Sequence, residues 1–253
     1  MKQVLKRFRL FVIAALITTL IIIAKYILHS MGWEVIEMSS LHSSMVAGTT
    51  FVIGFLLSTT MADYKESERI PADFAANIEN MHEDAISFYK QYPKFDLVGY
   101  QKQLQKIAAA FAKDVRSKSK TSHLHIHRLS EHFAEMEKAG VPPNFIVKLK
   151  QQQALLTKHV MRVNYIQRIT FIPSATILAW SIVVITLSLI MFTKIESLLG
   201  STLILGGLTF ILMYILLLIR VIRTPFHAEG ATQDDVSLYL IDQTAEHLKR
   251  PHK

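Results

Sequence analysis

The chain has 253 residues, of which 51% are hydrophobic, and its formal net charge is +8. It contains no cysteine, which excludes disulfide bonds and cysteine-ligated metal sites. The mean hydropathy of +0.29 is too high for an ordinary soluble domain unless the apolar residues are clustered, so we expect membrane-spanning helices.

Four stretches of low charge are long enough to cross the roughly 30 Å hydrocarbon core of a bilayer, which takes about 20 residues of helix. The first contains Lys25, which we expect to snorkel towards the interface. Basic residues precede this stretch as in a signal peptide, but its apolar part is too long and no small-residue cleavage motif follows. The predicted spans cover about residues 9–31, 41–62, 170–193 and 198–220.

Lysine and arginine are concentrated before the first span, between the second and third spans, and after the fourth. Because these residues accumulate in cytoplasmic segments, we predict a multi-pass protein of the inner (plasma) membrane with both termini in the cytoplasm. The fold class is all-α, with two transmembrane hairpins and a large cytoplasmic helical domain. The predicted parts are a first hairpin (1–62), the cytoplasmic domain (63–168), a second hairpin (169–223) and a cytoplasmic C-terminal tail (224–253).

The middle segment has the residue pattern of amphipathic helices. No helix breaker follows the second span before Pro71, so we expect this span to continue into the cytoplasm as one long helix, bent near the proline. The helical pattern then runs to Gln91, where Tyr92 and Pro93 end it. Further helices are predicted at 98–115, 124–139, 144–168 and 236–248.

Two groups of polar residues are candidate metal ligands. His123 and His127, with His132 beyond them, have the i,i+4 spacing that can bind a divalent metal, but the glutamate of an HExxH site is missing. The acidic residues of the tail lack EF-hand spacing, which favours a polar tail over a calcium site; they are Glu229, Asp234 and Asp235. We therefore predict no metal and no cofactor.

Signatures of catalysis are missing from the sequence: it has no nucleophile elbow, no P-loop, no dinucleotide fingerprint and no paired-carboxylate site. No basic stripe alternates with aromatic residues, which argues against nucleic-acid binding. The spans contain no acidic residue that could carry protons across the membrane. We predict that the chain is not an enzyme.

The second span differs from a helix that only faces lipid. Ala47, Phe51, Phe55 and Thr59 form one row at i,i+4 steps. Small residues, among them Gly48 and Gly54, would let neighbouring helices approach closely. Two interpretations remain open: an interior helix packed within a bundle, or a pore helix whose aromatic rings form a dewetting constriction.

The segment Phe51-Val-Ile-Gly-Phe55, preceded by small residues and followed by a long helix, resembles the neck of bestrophin channels. Thr224-Pro-Phe226 resembles the segment that follows the last span in that family. The order of spans, helical block and tail is similar over nearly the whole chain. The resemblance implies a bestrophin-like homo-oligomer, a pentamer, in which bulky residues of the second span surround the axis.

The resemblance also implies the function of an ion channel in the lipid bilayer. Phe51 and Phe55 would form the pore neck, Ala47 and Thr59 would line the pore, and two glycines would serve helix packing, namely Gly48 and Gly54. Chloride or other anions are the preferred permeant ions, given the positive charge. The alternatives are a cation-conducting channel of the same kind, and a non-conducting signalling or scaffold protein that binds a partner through its cytoplasmic helices.

Two departures from the family pattern limit what the resemblance implies. Ala47 stands where the vertebrate family has a third bulky neck residue, so the constriction is expected to be shorter or wider. The tail lacks the dense acidic run of calcium-activated members, so calcium gating is not expected.

Overall fold

A computed structural model of the chain describes residues 8–117, 119–168, 173–195, 197–226 and 235–249. These residues form nine helices and one pair of two-residue strands, which confirms the all-α fold class. In chain order the elements are α1 (Arg9–Ser30), β1 (Ile36–Glu37), α2 (Ser40–Gln91), α3 (Leu97–Ser117), α4 (Ser122–His127), α5 (Leu129–Lys138), α6 (Pro143–Arg168), α7 (Pro173–Met191), β2 (Thr193–Lys194), α8 (Leu198–Ile222) and α9 (Tyr239–His247).

The described residues divide into two compact units, and the division within α2 falls between Tyr64 and Lys65. The first unit contains α1, the first part of α2, α7 and α8, together with both strands. The second contains the remainder of α2, the helices from α3 to α6, and α9.

Four helices are long and apolar enough to cross a membrane, judged by length and composition. They are α1, the apolar part of α2, residues Ser174–Met191 of α7, and α8. The beginning of the third predicted span, residues 170–172, lies outside the described residues. The four-span interpretation is therefore confirmed by the helices themselves.

Helices α1 and α8 pack together in the first unit at a glycine. A Cβ atom at Gly206 would lie only 2.9 Å from Cδ1 of Ile22, so glycine permits this close approach. The other side of the core lies between α2, α7 and α8, where Ile53 of α2 belongs to one buried apolar cluster with Val183 and Leu212.

Lys25 does not snorkel towards solvent, contrary to the sequence-based expectation: its side chain is 0% exposed. Its Nζ lies 2.6 Å from Oε1 of Glu34 and donates hydrogen bonds to the carbonyl oxygens of Met191 (3.0 Å) and Thr193 (2.8 Å). Local acceptors therefore satisfy the ammonium group inside the protein. Burial raises the pKa of the Glu34 carboxyl, but hydrogen bonds from Lys25 and His29 outweigh this effect, and the pKa lies below its ordinary value.

The strands β1 and β2 pair in parallel beside this buried lysine, with Ile36 opposite Thr193. His42 adds a second link, because its Nε2 lies 2.8 Å from the Thr193 hydroxyl. The first hairpin is thus joined to the second by backbone pairing of the strands and by hydrogen bonds from the side chains of Lys25 and His42.

The second unit confirms that α2 runs through Pro71 to Gln91 as one helix. In this unit Phe74 of α2 stacks on Phe111 of α3, with ring centroids 3.9 Å apart. The prediction of one helix over 124–139 is wrong, because the chain breaks at Arg128 into α4 and α5. Side chains of neighbouring helices donate hydrogen bonds to the carbonyl groups near this break. Gln103 donates to the carbonyl of His125 (2.6 Å), and Gln153 donates to that of Ile126 (2.7 Å).

Candidate functional site

The predicted neck residues lie on a face of α2 that the other described residues leave exposed. Phe51 is 75% exposed and Phe55 is 66% exposed, although both lie in the apolar part of the helix. Ala47 is exposed on the same face. The i,i+4 spacing places these residues on one exposed face of the helix.

The opposite face of the same helix segment is buried against α7 and α8. Ile53 is fully buried, and Leu56 and Thr60 are also buried. A hydrogen bond crosses from α2 to α7, with the hydroxyl oxygens of Thr49 and Thr186 2.6 Å apart. Intrachain packing thus uses one face of α2 and leaves the phenylalanine face free.

The two glycines of the span have open space beside them in the part of the chain that the structure describes. A Cβ atom added at Gly48 or Gly54 would meet nothing within 4 Å among the described residues. Both lie, with Ser44 and Ser58, on the exposed side of the helix. Among the described residues, these glycines therefore do not bring α2 close to another helix of the same chain.

Thr59 occupies the boundary between the two faces. It is partly buried, and its hydroxyl donates a 2.9 Å hydrogen bond to the carbonyl of Leu56 one turn earlier in the helix. The Thr59 hydroxyl is therefore hydrogen-bonded within its own helix, whereas the side chain of Ala47 is exposed.

The candidate metal ligands of the sequence do not form a common site in the part of the chain that the structure describes. The rings of His123 and His127 pack edge to face with centroids 4.4 Å apart. His132 instead faces Glu135, with 3.4 Å between its Nδ1 and the carboxylate. Of the three tail acids, Glu229 and Asp234 lie outside the described residues.

A different group of potential ligands comes together in the second unit. Glu79 and His82 of α2 meet His247 of α9, and one ligand atom from each lies within 4.8 Å of the others. This group was not among the candidate ligands predicted from the sequence. The Glu-x-x-His spacing, which puts Glu79 and His82 on one helical face, was the available signal. Its third member follows only from the packing of α9.

No protein-family model matches the sequence, and none of the curated proteins matches it either. Solved structures do match. The chain is similar to a bacterial bestrophin homologue from Klebsiella pneumoniae at 11% identity and a TM-score of 0.76, over 95% of this chain and 96% of that one. A variant of that homologue gives 11% identity and a TM-score of 0.75, over 95% of this chain and 97% of that one. A crystal structure described only as that of a membrane protein gives 10% identity and a TM-score of 0.78, over 94% and 97% of the two chains. The resemblance expected from the neck segment is thus confirmed at the level of the fold.

Proposed function

We propose that the chain is one subunit of an oligomeric ion channel, a pentamer in the inner (plasma) membrane with its termini in the cytoplasm. The second span of each subunit would line the central axis. One observation carries this proposal: the face of α2 with Phe51 and Phe55 is exposed, while the opposite face holds the intrachain core. The shared fold with a bacterial bestrophin homologue supports the same arrangement.

An exposed apolar face in a membrane helix can contact lipid, other copies of the chain, or a pore. Lipid contact requires only apolar bulk, whereas this face combines two phenylalanines with glycines and serines. Glycine is costly in a helix unless close approach makes use of it. The open space at Gly48 and Gly54 therefore supports packing between copies, with the phenylalanines pointing towards the axis.

The neck would act as a hydrophobic gate. Rings of Phe51 and Phe55 from five subunits would narrow the axis and exclude water, so hydrated ions would pass only when the rings move apart. Gly54 lies beside the second ring and leaves room for such a movement. Ala47 and Thr59 would line the pore on either side of the neck.

Anions are the proposed permeant ions. The segment from Ser40 to Ala62 contains no charged residue, so no acidic ring at the neck would attract cations. The net charge of +8 favours anions near the protein. A cation-conducting channel with the same neck is the second candidate, and its reversal potential would have the opposite sign.

Planar-bilayer recordings of the purified protein in asymmetric salt test both the conduction and the selectivity. We expect a reversal potential that follows the anion gradient. The double substitution of Phe51→Ala and Phe55→Ala is expected to raise the conductance or open probability, because it removes the constriction. Leu203→Ala is a matched control, since Leu203 is an equally exposed apolar residue of α8.

Equal small currents from the double variant and the parent would show that the neck assignment is wrong. The absence of current from the parent, combined with a monomeric or dimeric particle, would instead favour the scaffold alternative. A particle whose axis is lined by α2 would favour the channel.

A further inference from the structure

Three side chains of the second unit converge from two helices that are far apart in the sequence. Glu79 and His82 lie one turn apart on α2, and His247 is the last residue of α9. The Nδ1 atom of His247 lies 2.9 Å and 3.1 Å from the two carboxylate oxygens of Glu79. The rings of His82 and His247 are nearly perpendicular, with centroids 6.0 Å apart.

The chemistry of this group is that of a metal site. Two imidazoles and one carboxylate are the donors that Zn²⁺ takes in three-ligand protein sites, where water fills the fourth position. Ca²⁺ and Mg²⁺ instead prefer sites made of oxygen alone. In a tetrahedral site with bonds of about 2 Å, ligand atoms lie about 3.3 Å apart. The ligand atoms here already lie within 4.8 Å of one another.

The three side chains differ in exposure and therefore in how far they can move. His82 is 1% exposed, so packing restricts its ring. His247 has an exposed side chain and can adjust by the ångström or so that a bound ion requires. The carboxylate of Glu79 lies between these extremes of exposure and already faces the ring of His247.

Helix α9 is itself anchored, so His247 is presented at a fixed place. Arg116 of α3 holds Asp242 of α9 with 2.6 Å between Nη2 and the carboxylate. Gln101 of α3 donates a 2.9 Å hydrogen bond to the carbonyl of Leu248, directly after α9. Ile241 and Thr244 of α9 are buried. These contacts place the end of α9 beside α2 before any ion binds.

We propose that Glu79, His82 and His247 bind one divalent transition-metal cation of the Zn²⁺ class and so clip helix α9 to α2. This site departs from the expectation of no metal ligands. It is independent of ion conduction, because every ligand belongs to the second unit and none to the candidate neck. Metal occupancy would control how firmly the C-terminal helix is held.

The test uses the purified full-length protein in detergent, stripped with EDTA and titrated with ZnCl₂ against a chromophoric chelator. We expect one Zn²⁺ per chain, unaffected by millimolar Ca²⁺. His247→Gln is the main variant, because its exposed side chain can be changed without disturbing the core. It should weaken Zn²⁺ binding at least tenfold, and Glu79→Gln should act in the same direction.

The matched control is the double variant of His123→Gln and His127→Gln, which removes the other close histidine pair and should leave binding unchanged. Hydrogen exchange adds a second measurement. Zn²⁺ should slow exchange of the α9 amides (Tyr239–His247) in the parent and not in His247→Gln.

Three results would overturn the proposal: no Zn²⁺ binding by the parent, unchanged binding by His247→Gln, or loss of binding in the His123/His127 variant. Equal competition by Ca²⁺ would overturn the assigned class of ion. None of these measurements requires a current, so a failed channel assay leaves their meaning intact.

Discussion

The two faces of the membrane part of α2 differ in a way that their apolar composition hides. One face places Ile53 and Leu56 in the core with α7 and α8, and the other leaves Phe51 and Phe55 exposed. Both faces carry large hydrophobic side chains, so hydropathy alone does not separate them. The chain therefore packs its own core against one face of this helix and leaves the other face exposed.

Charged substitutions should give the largest difference between the two faces in the yield of folded protein. Ile53→Asp buries an unpaired carboxylate in the core, and we expect no folded protein. Leu203→Asp, on the exposed surface of α8, should cost up to about 2.5–3.5 kcal/mol in membrane insertion, the value for a charge at the centre of a span. Phe51→Asp should cost clearly less than Leu203→Asp, because removal of the ring opens the proposed neck and lets water reach the carboxylate, whereas lipid cannot solvate it at Leu203.

The measurement is the yield of monodisperse protein after membrane extraction, with membrane insertion scored by glycosylation mapping. A loss for Phe51→Asp as large as that for Leu203→Asp would place the phenylalanine face against lipid and contradict the proposed neck.

Cysteine reactivity should also differ between the two faces of α2, and it can be measured at single introduced positions because the chain has no native cysteine. Ser58→Cys, on the exposed face, is expected to react with a charged thiosulfonate on the order of 100-fold faster than Leu56→Cys, on the buried face. Leu203→Cys controls for lipid exposure, since a thiol in hydrocarbon stays protonated and unreactive. Equal rates for Ser58→Cys and Leu203→Cys in the assembled protein would argue against water at this face.

Replacing a glycine by a larger residue should show whether that position packs between copies of the chain or within one chain. A Cβ atom added at Gly54 or at Gly207 would meet only open space in the single chain. Gly54→Leu is expected to weaken the oligomer by about 1–3 kcal/mol through overpacking, while the control Gly207→Leu leaves it intact. The oligomer fraction across a detergent dilution series measures this effect, and circular dichroism checks that the helices persist. Equal oligomer stability for Gly54→Leu and Gly207→Leu would show that Gly54 does not pack between copies of the chain.

The smallest effect is expected at the hydrogen bond of the buried face. Thr49→Val removes the bond to Thr186 and should lower stability by about 0.6 kcal/mol, the usual size for such bonds in membranes. Thr50→Val is a close control, because the exposed hydroxyl of Thr50 donates its hydrogen bond to the carbonyl of Val46 in its own helix. A cost for Thr50→Val as large as that for Thr49→Val would mean that both faces are covered. Reversible unfolding in mixed micelles resolves differences of this size.

Much of the fold follows from local patterns. Apolar runs of the right length gave the four spans, and the lack of a breaker before Pro71 gave the long helix α2. The row formed by Ala47, Phe51 and Phe55 followed from helical spacing alone. Which face of α2 would be covered did not, because that depends on the packing of α7 and α8.

The features that sequence reasoning missed depend on contacts between distant segments. The buried state of Lys25 requires carbonyl groups of Met191 and Thr193, which no local pattern associates with it. The break at Arg128 reflects hydrogen bonds donated by glutamines of other helices. The convergence of His247 on Glu79 likewise needs the docked position of α9.

The buried lysine also orders events during biosynthesis. Chains emerge N-terminus first, and Glu34 lies only nine residues after Lys25. Glu34 can therefore neutralise Lys25 as soon as the first hairpin forms. The carbonyl acceptors of Met191 and Thr193 are made much later. Between these moments the ion pair lacks its full set of hydrogen bonds, and the arrival of the second hairpin completes it. The first hairpin thus inserts with its buried lysine paired to Glu34 but short of two hydrogen-bond acceptors, and docking of the second hairpin of the same chain supplies them.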